Sequence, residues 1–323
     1  MSETIFVTGA TGRIGAPLVK KLVAEGCTVR CLVRSSAGEA SVKSIGAEPI
    51  RGDLGDSEAL RRGVIGAEAV FHLAGGVRGK GSVTAEKLNV EGTANLVEIC
   101  RTESSIKAFV FASTCSVYGD RSSLWVEEDF VTSPNTLYAE SKVKAEDIAL
   151  EAMKSGGLPV RIARIGAVYG KGFPFAMVER MQSEKAWLPG EGRNCIPVIH
   201  VDDCVSALIQ IKISGEDGGV YHVADRTSPT LKEFYKEVHA HVGGKEVRFW
   251  STYIPSYIQT FLASQNEAVK SAMGRKPRFT PDNLQLFKNS VRLKTDKLAD
   301  ELNFVWAWPD YKNGVADAFG EQC

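Results

Sequence analysis

Thr4-Ile5-Phe6-Val7-Thr8-Gly9-Ala10-Thr11-Gly12-Arg13-Ile14-Gly15 is the stretch from which the rest of the chain can be read. Five strand-prone residues run directly into a turn with three glycines. Ile14, Leu18 and Leu22, with Val19 and Val23 beside them, then recur at helical spacing until Gly26 stops the pattern. Strand, glycine turn and helix in that order aim free N–H groups and the positive end of a helix dipole at the carboxyl end of the strand. Glycine is required where the backbone turns sharply and where it must approach an anion with no Cβ in the way. A tight turn with no ligand would use the same residues. The position between the first strand and the first helix favours a pyrophosphate site made of Gly9, Thr11, Gly12, Arg13, Ile14 and Gly15.

Outward from this turn the chain alternates. Thr28–Val33, Pro49–Arg51, Ala69–Leu73, Ala108–Ala112 and Pro159–Ile165 read as strands; a polar Ser/Gly loop follows the first of them. Asp56–Val64, Glu86–Cys100 (with Leu88, Leu96 and Ile99 inward) and Leu137–Met153 read as helices. Strands alternating with helices imply right-handed crossovers and a parallel sheet covered on both faces. The expected fold is α/β, a Rossmann-type doubly wound parallel sheet. After Tyr169 the rhythm changes. Residues 171–174 and 189–194 are loops around a helix, Asp203–Lys212 and Thr230–His241 are helices, Gly219–Val223 is a strand, and Ile254–Met273 is a long, partly amphipathic helix. The expected division is a dinucleotide-binding domain over residues 1–169 and a smaller C-terminal substrate lobe over 170–323, with about 196–225 returning to the first domain.

Composition narrows the class of function. Lys+Arg and Asp+Glu are both 39 in 323 residues, without the basic excess of a nucleic-acid binder. No apolar run reaches bilayer length, and the N-terminus lacks a basic stretch followed by an apolar core, so neither an integral membrane segment nor a signal peptide is expected. Seven cysteines without a CxxC pair, and five histidines without ligand spacing, imply reduced thiols, a cytoplasmic protein and no metal site. A small-molecule substrate is the expected partner.

Where an NAD site would place an acid, the second strand ends in Arg34, followed by Ser35 and Ser36. A guanidinium and hydroxyls suit a 2′-phosphate, so NADP is expected as cofactor, with NAD as the alternative; a solvated loop arginine would look the same. Asp53 and Leu54 follow the third strand, where they suit an adenine or simply a turn. Leu73, Ala74 and Gly75 follow the fourth, with small residues where a backbone can pass beside a cofactor.

Tyr138 and Lys142 stand four apart on one face of a helix, and no other tyrosine in the chain has a lysine at that spacing. A nearby ammonium lowers a phenol's pKa from its ordinary value of about 10. A hydroxyl donor to hold a substrate oxygen is available upstream in Ser113, Thr114 and Ser116, at a strand's carboxyl end.

The pieces TGATGRIG (8–15), GDL (52–54), FHLAG (71–75), NVEGT (89–93), ASTCSVYG (112–119), YAESK (138–142), RIGAVYG (164–170) and HVDD (200–203) occur in an order that resembles the extended short-chain dehydrogenase/reductases, the NAD-dependent epimerase/dehydratase superfamily. The resemblance spans Thr4 to about Trp308. It implies Tyr138 as general acid/base, Lys142 as the residue that lowers its pKa and bonds the nicotinamide ribose, and Thr114 as the group polarising the substrate oxygen, with Ser113 and Ser116 as fallbacks. It implies Asn89 as support for the proton-relay helix, and Ile165 to Val168 along the nicotinamide. The block from His200 to Asp203 is read as mainly structural, with His200 able to reach the substrate side. A homodimer through the helices at 86–100 and 137–153 is a further implied option.

Two diphosphate contacts usual in sugar-nucleotide members are missing: Ala167 and Ile196 occupy their positions, and Arg193 is displaced. The pattern is closer to the 3β-hydroxysteroid and sterol dehydrogenase and dihydroflavonol reductase branch, which interconverts an alcohol and a carbonyl. Trp187, Phe249, Trp250, Tyr253, Tyr257 and Phe261 are available to line an apolar pocket or to pack the lobe's own core. A nucleotide-sugar epimerase/dehydratase with tightly bound NAD is the alternative. A non-enzymatic cofactor-binding relative is a third reading, opposed by the intact Tyr138 and Lys142.

Overall fold

The computed structural model describes residues 2–76, 86–122, 124–171, 176–182, 186–188, 190–249, 258, 261–262, 264–265 and 280–320. A seven-stranded sheet runs through the chain. Its strands are β1 (Thr4–Thr8), β2 (Thr28–Val33), β3 (Glu48–Arg51), β4 (Ala69–His72), β5 (Ala108–Thr114), β7 (Val160–Ile165) and β11 (Val220–Val223), in the spatial order β11-β7-β5-β4-β1-β2-β3. Every pairing in it is parallel. The order reverses between β1 and β4, and a ligand crevice lies outside the strand ends at such a switch point.

The strands are apolar runs because both faces are covered. On one side α1 (Gly15–Ala24) and α7 (Val201–Ser214) bury Leu18, Val19, Leu22, Leu208 and Ile211 against Ile5, Val7, Val110 and Ala163. On the other, α3 (Ser57–Val64), α4 (Gly92–Cys100) and α5 (Leu137–Gly156) bury Leu60, Leu96, Val97, Ala145 and Ala149 against Phe6, Phe109, Phe111 and Ile162.

The polar Ser/Gly loop expected after β2 is instead the helix α2 (Ser36–Ser44). Ser35 caps it by accepting a hydrogen bond from the Gly38 N–H at 3.1 Å. Gly38 is buried in the first turn of this helix, and its N–H is the group that Ser35 caps. β5 runs two residues beyond its expected end and carries Ser113 and Thr114.

Short ladders complete the chain: β6 (Trp125–Val126) with β13 (Arg292–Leu293), β8 (Ala167–Tyr169) with β10 (Val198–His200), and β9 (Trp187–Leu188) with β12 (Arg248–Phe249). They join α6 (Ala176–Gln182), α8 (Leu231–Val242) and the late helices Pro281–Lys288, Asp296–Asp300 and Tyr311–Phe319. Most of the helix expected over Ile254–Met273, and with it Trp250, Tyr253 and Tyr257, lies outside the described residues. Among the described residues no helix is long and apolar enough to cross a membrane, and no group of three acidic, histidine or cysteine side chains could hold a metal ion.

Candidate active site

The glycine turn closes on itself through the Gly12 N–H and the Gly9 carbonyl at 2.8 Å. Gly9 has φ +76°, a conformation that L side chains rarely adopt, and a Cβ there would stand 2.7 Å from the Ala74 nitrogen. A Cβ on Gly15 would overlap the Gly9 carbonyl and lie 2.9 Å from the Ala10 Cα. α1 therefore starts close behind the turn. Its first turn holds no acidic residue, and no side chain caps it at Ile14. That leaves backbone N–H groups for an anion.

A cavity of about 520 Å³ opens at the carboxyl ends of β1 to β4. It brings together Gly9, Thr11, Gly12, Arg34, Asp53, Leu54, Leu73, Ala74 and Gly75. Arg34 is exposed at its wall, beside the start of α2, and Arg51 donates to Ser36 Oγ at 3.3 Å there. Asp53 accepts from the Gly55 N–H at 2.8 Å, so one of its oxygens holds the turn. Arg13, Ile14 and Gly15 are not part of this lining: Arg13 is exposed, Ile14 packs on the core and Gly15 is buried. Ile165 is 5% exposed within the core, and Val168 packs against the same cluster; neither lines the cavity.

The far wall was not read from sequence. Lys87, Leu88, Glu91, Gly92 and Asn95 supply it. The available signal was Gly92 inside a helical pattern: a Cβ there would meet Leu54 Cδ1 at 2.7 Å, so only glycine lets Leu54 seat. The expected helix from Glu86 in fact begins with a wider π turn, Lys87–Glu91. Such turns recur at functional sites. This one buries Asn89, which donates to Ser141 Oγ at 2.8 Å and to the Gly76 carbonyl at 3.1 Å, and accepts from the Gly76 N–H at 2.9 Å. Ser141 in turn donates to the Tyr138 carbonyl at 2.7 Å. Asn89 thereby ties the cavity wall to the first turn of α5.

Thr114, Tyr138, Lys142 and Asn89 are not part of the cavity lining. β5 delivers Thr114 and α5 delivers Tyr138, with Thr136 capping that helix through the Ala139 N–H at 3.1 Å. The Thr114 hydroxyl donates to Ser116 Oγ at 3.2 Å and accepts from the Ser116 N–H at 3.2 Å. It also holds the Tyr138 phenol down, but burial, the larger influence, pushes the phenol up to about 12. Lys142 is 4% exposed. Its Nζ donates to the Ala112 carbonyl at 2.7 Å and stands 4.0 Å from the centre of the Phe111 ring. Burial brings the ammonium down to about 7, with Glu146 opposing. The Lys142 charge is thus held on the β5 backbone, one turn along α5 from the phenol.

His200, 1% exposed, caps α7 by accepting from the Asp202 N–H at 3.3 Å and stacks on Trp308 with ring centres 4.0 Å apart. Asp203 accepts the N–H groups of Ala307 and Trp308 at 2.9 and 2.8 Å. This block fastens the C-terminal segment to the sheet. Of the aromatic set, Phe249 packs on the late lobe's core, while Trp187 and Phe261 are exposed.

The chain matches the model of the NAD dependent epimerase/dehydratase family over residues 5–224. It is 30% identical over 237 residues to 4-hydroxy-2-methyl-3-oxo-4-farnesyl-3,4-dihydroquinoline-1-oxide ketoreductase of Stigmatella aurantiaca, covering 71% of this chain and 70% of that one. It is 29% identical over 253 residues to a dTDP-glucose 4,6-dehydratase of Streptomyces griseus, covering 72% and 76%. In three dimensions it resembles the UDP-glucuronic acid 4-epimerase of Bacillus cereus, with a TM-score of 0.77 at 20% identity, over 98% of each chain. A switch-point cavity behind a glycine turn, a tyrosine and lysine one helical turn apart, and a family model covering most of the chain converge: this protein belongs to the NAD dependent epimerase/dehydratase family, the extended short-chain dehydrogenase/reductases, and is a nicotinamide-dependent oxidoreductase.

Proposed function

We propose that the chain is an NADP(H)-dependent oxidoreductase that interconverts an alcohol and a carbonyl on a largely apolar small molecule. The observation that carries this reading is the placing of Tyr138 and Lys142 one turn apart on α5, beside Thr114 at the carboxyl end of β5. The cavity fits the cofactor. Its lining at Gly9 and Gly12 has no side chain; Arg34 would hold a 2′-phosphate, and Asp53 and Leu54 would flank the adenine. When bound, the nicotinamide supplies or accepts a hydride. Tyr138 gives its proton to the carbonyl oxygen during reduction and takes it back during oxidation. Thr114 donates a hydrogen bond to the same oxygen. Lys142, held on the Ala112 carbonyl one turn along, would supply the cation that opposes the burial raising the phenol, and Asn89 fixes the turn that carries Tyr138.

The side-chain environment at the missing diphosphate contacts supports an apolar substrate. Ala167 offers no polar atom, Ile196 packs into the apolar core of the late lobe, and Arg193 is exposed and paired with Glu191 at 3.4 Å. A buried diphosphate without partners would face a large desolvation cost. The ketoreductase relative, whose name describes a farnesylated ring ketone, supports the same class. The dehydratase relative and the UDP-sugar epimerase structure favour a second reading, a nucleotide-sugar enzyme with retained NAD.

We further propose the division at about residue 169, and a cytoplasmic location in keeping with six unpaired described cysteines. A homodimer through the helices at 86–100 and 137–153 is part of the proposal; their outer sides carry exposed Asn95, Glu98, Lys144 and Asp147 together with Leu137, 71% exposed.

The test is a paired screen. Lipophilic ketones and alcohols (steroid, flavonoid, aryl) are set against UDP-, GDP- and dTDP-sugars, read by cofactor absorbance and thermal shift. Turnover of a lipophilic carbonyl with NADPH is expected. Selective stabilisation by a nucleotide sugar, with its epimerisation or dehydration, would promote the second reading.

A further inference from the structure

Three residues of α5 share one face at successive turns: Tyr138, Lys142 and Glu146. The third has no part in the chemistry above, yet it is a carboxylate only 3% exposed. Arg164, 6% exposed on β7, grips it with a two-pronged fork, Nε to Oε1 at 3.2 Å and Nη2 to Oε2 at 2.8 Å. Ser113 of β5 donates to Oε1 as well. The remaining Arg164 nitrogen donates to the Tyr118 hydroxyl at 2.7 Å and the Glu128 carbonyl at 3.1 Å. His222 lies 2.6 Å from that hydroxyl through Nε2 and 2.7 Å from the Lys294 carbonyl through Nδ1. Nδ1 therefore carries the proton, and Nε2 accepts from Tyr118. Ser113, Arg164 and His222 are register partners across β5, β7 and β11, so the whole row faces α5.

A buried ion pair of this kind returns little net stability compared with apolar side chains of the same volume. What it does fix is geometry and charge. The titratable groups around Lys142 are Tyr138 and Glu146 on its own helix, His72 on β4, held neutral by burial, and Arg164 on β7 behind Glu146, with Cys115 beside Tyr138. The carboxylate one turn away is the acidic group among them.

We propose that Glu146 is a positioning residue for the Tyr138–Lys142 pair: held by Arg164 and Ser113, it fixes a buried carboxylate one helical turn from Lys142, and so sets the upper pH limit of cofactor binding and proton exchange. This rests on the oxidoreductase reading above. Without the carboxylate, Lys142 would be a buried cation facing a second buried cation, and it would shed its proton at lower pH.

The test uses three variants of the full chain: Glu146→Gln, Glu146→Asp, and the double change Glu146→Gln with Arg164→Met, which leaves no uncompensated guanidinium. NADPH affinity is measured by fluorescence from pH 6 to 9, alongside kcat and KM profiles and thermal melting. In Glu146→Gln the alkaline limb of NADPH binding and of kcat should move down by about one pH unit, and in the double variant, where the second cation is gone too, by less in the same direction, with KM for the carbonyl substrate changed less than about twofold in both; aspartate should restore much of the profile. If Glu146→Gln alone does not fold, the double variant decides, and if that also fails the aspartate profile does, its expected shift being smaller and in the same direction. Folded variants whose profiles overlay the wild type overturn the proposal and leave Glu146 as half of a structural pair. A wild-type chain that binds no nicotinamide cofactor overturns the oxidoreductase reading instead.

Discussion

The two ends of the site are built from opposite materials. The cavity end is backbone: Gly9, Gly12 and Gly15 hold no side chain because the chain must pass close to itself and to an anion, and its cations, Arg34 and Lys87, stand exposed at the wall. The catalytic end is buried charge: Lys142, Glu146 and Arg164 are each under 10% exposed and lie among apolar strands. A backbone cradle tolerates no added volume, whereas a buried-charge site tolerates no change of protonation. Substitutions at the two ends should therefore fail differently.

The largest effect is expected at the catalytic end. Tyr138→Phe removes one hydroxyl and keeps the ring. Turnover should fall by roughly 10²–10⁴-fold, the range of positioned acid–base catalysis, while NADPH affinity by fluorescence stays within about twofold. Activity near wild type would remove Tyr138 from its role.

Gly15→Ala should do the reverse. Its methyl group overlaps the Gly9 carbonyl, so the turn must open. Overpacking on this scale costs about 1–3 kcal/mol, enough to weaken NADPH binding by up to ~100-fold. Far-ultraviolet circular dichroism separates lost binding from lost folding, and an unchanged affinity would mean that the turn does not cradle the cofactor.

Arg34→Asp sharpens the comparison at the rim. It removes the 2′-phosphate partner and supplies an acceptor for a 2′-hydroxyl. One charge-assisted bond contributes about 1.5–3 kcal/mol, so the NADPH-to-NADH affinity ratio should drop by about tenfold or more. A constant ratio would show that Arg34 reads neither nucleotide.

The smallest effect concerns stability, with one histidine at each end. His72 lies between Thr8 at 2.7 Å and Thr93 at 2.9 Å under the cavity, and His222 lies in the Arg164 network. Burial holds both near a pKa of about 3, well below the ordinary 6.5. As pH falls from 6.5 towards 3, the unfolded chain takes up protons that the folded chain refuses, so stability declines across that window, by up to roughly 1.4 kcal/mol per pH unit for each histidine. Melting curves between pH 6.5 and 5 should show the decline, and His72→Asn should reduce its slope. A slope indifferent to His72 would mean that it is not a site of the uptake.

The same contrast explains what could be read from the sequence. The cradle is contiguous, and glycines mark it openly, so its strand, turn and helix were legible from Thr4 to Gly26. Tyr138 and Lys142 were legible because helix geometry makes a four-residue spacing meaningful. The support around them was not. Ser113 and Glu146 are 33 residues apart, Arg164 and Tyr118 are 46 apart, and Tyr118 and His222 are 104 apart; only the sheet register makes them neighbours. Ser35, Ser36 and Gly38 misled in the other direction, since a serine cap and a glycine in the first turn of a helix look like a loop in the sequence. The two- and three-residue ladders of the late lobe are too short to show any periodicity.

The central claim, net hydride exchange at a lipophilic carbonyl, is tested most directly by isotope transfer. NADPH deuterated at the transferring position of the nicotinamide is incubated with the protein and a ketone identified by the screen, and the product is examined by mass spectrometry. The account predicts one deuterium on the new carbinol carbon and one NADP⁺ formed per alcohol, both lost with Tyr138→Phe. Conversion of a nucleotide sugar with no net change in cofactor, and no deuterium delivered to any ketone, would contradict it.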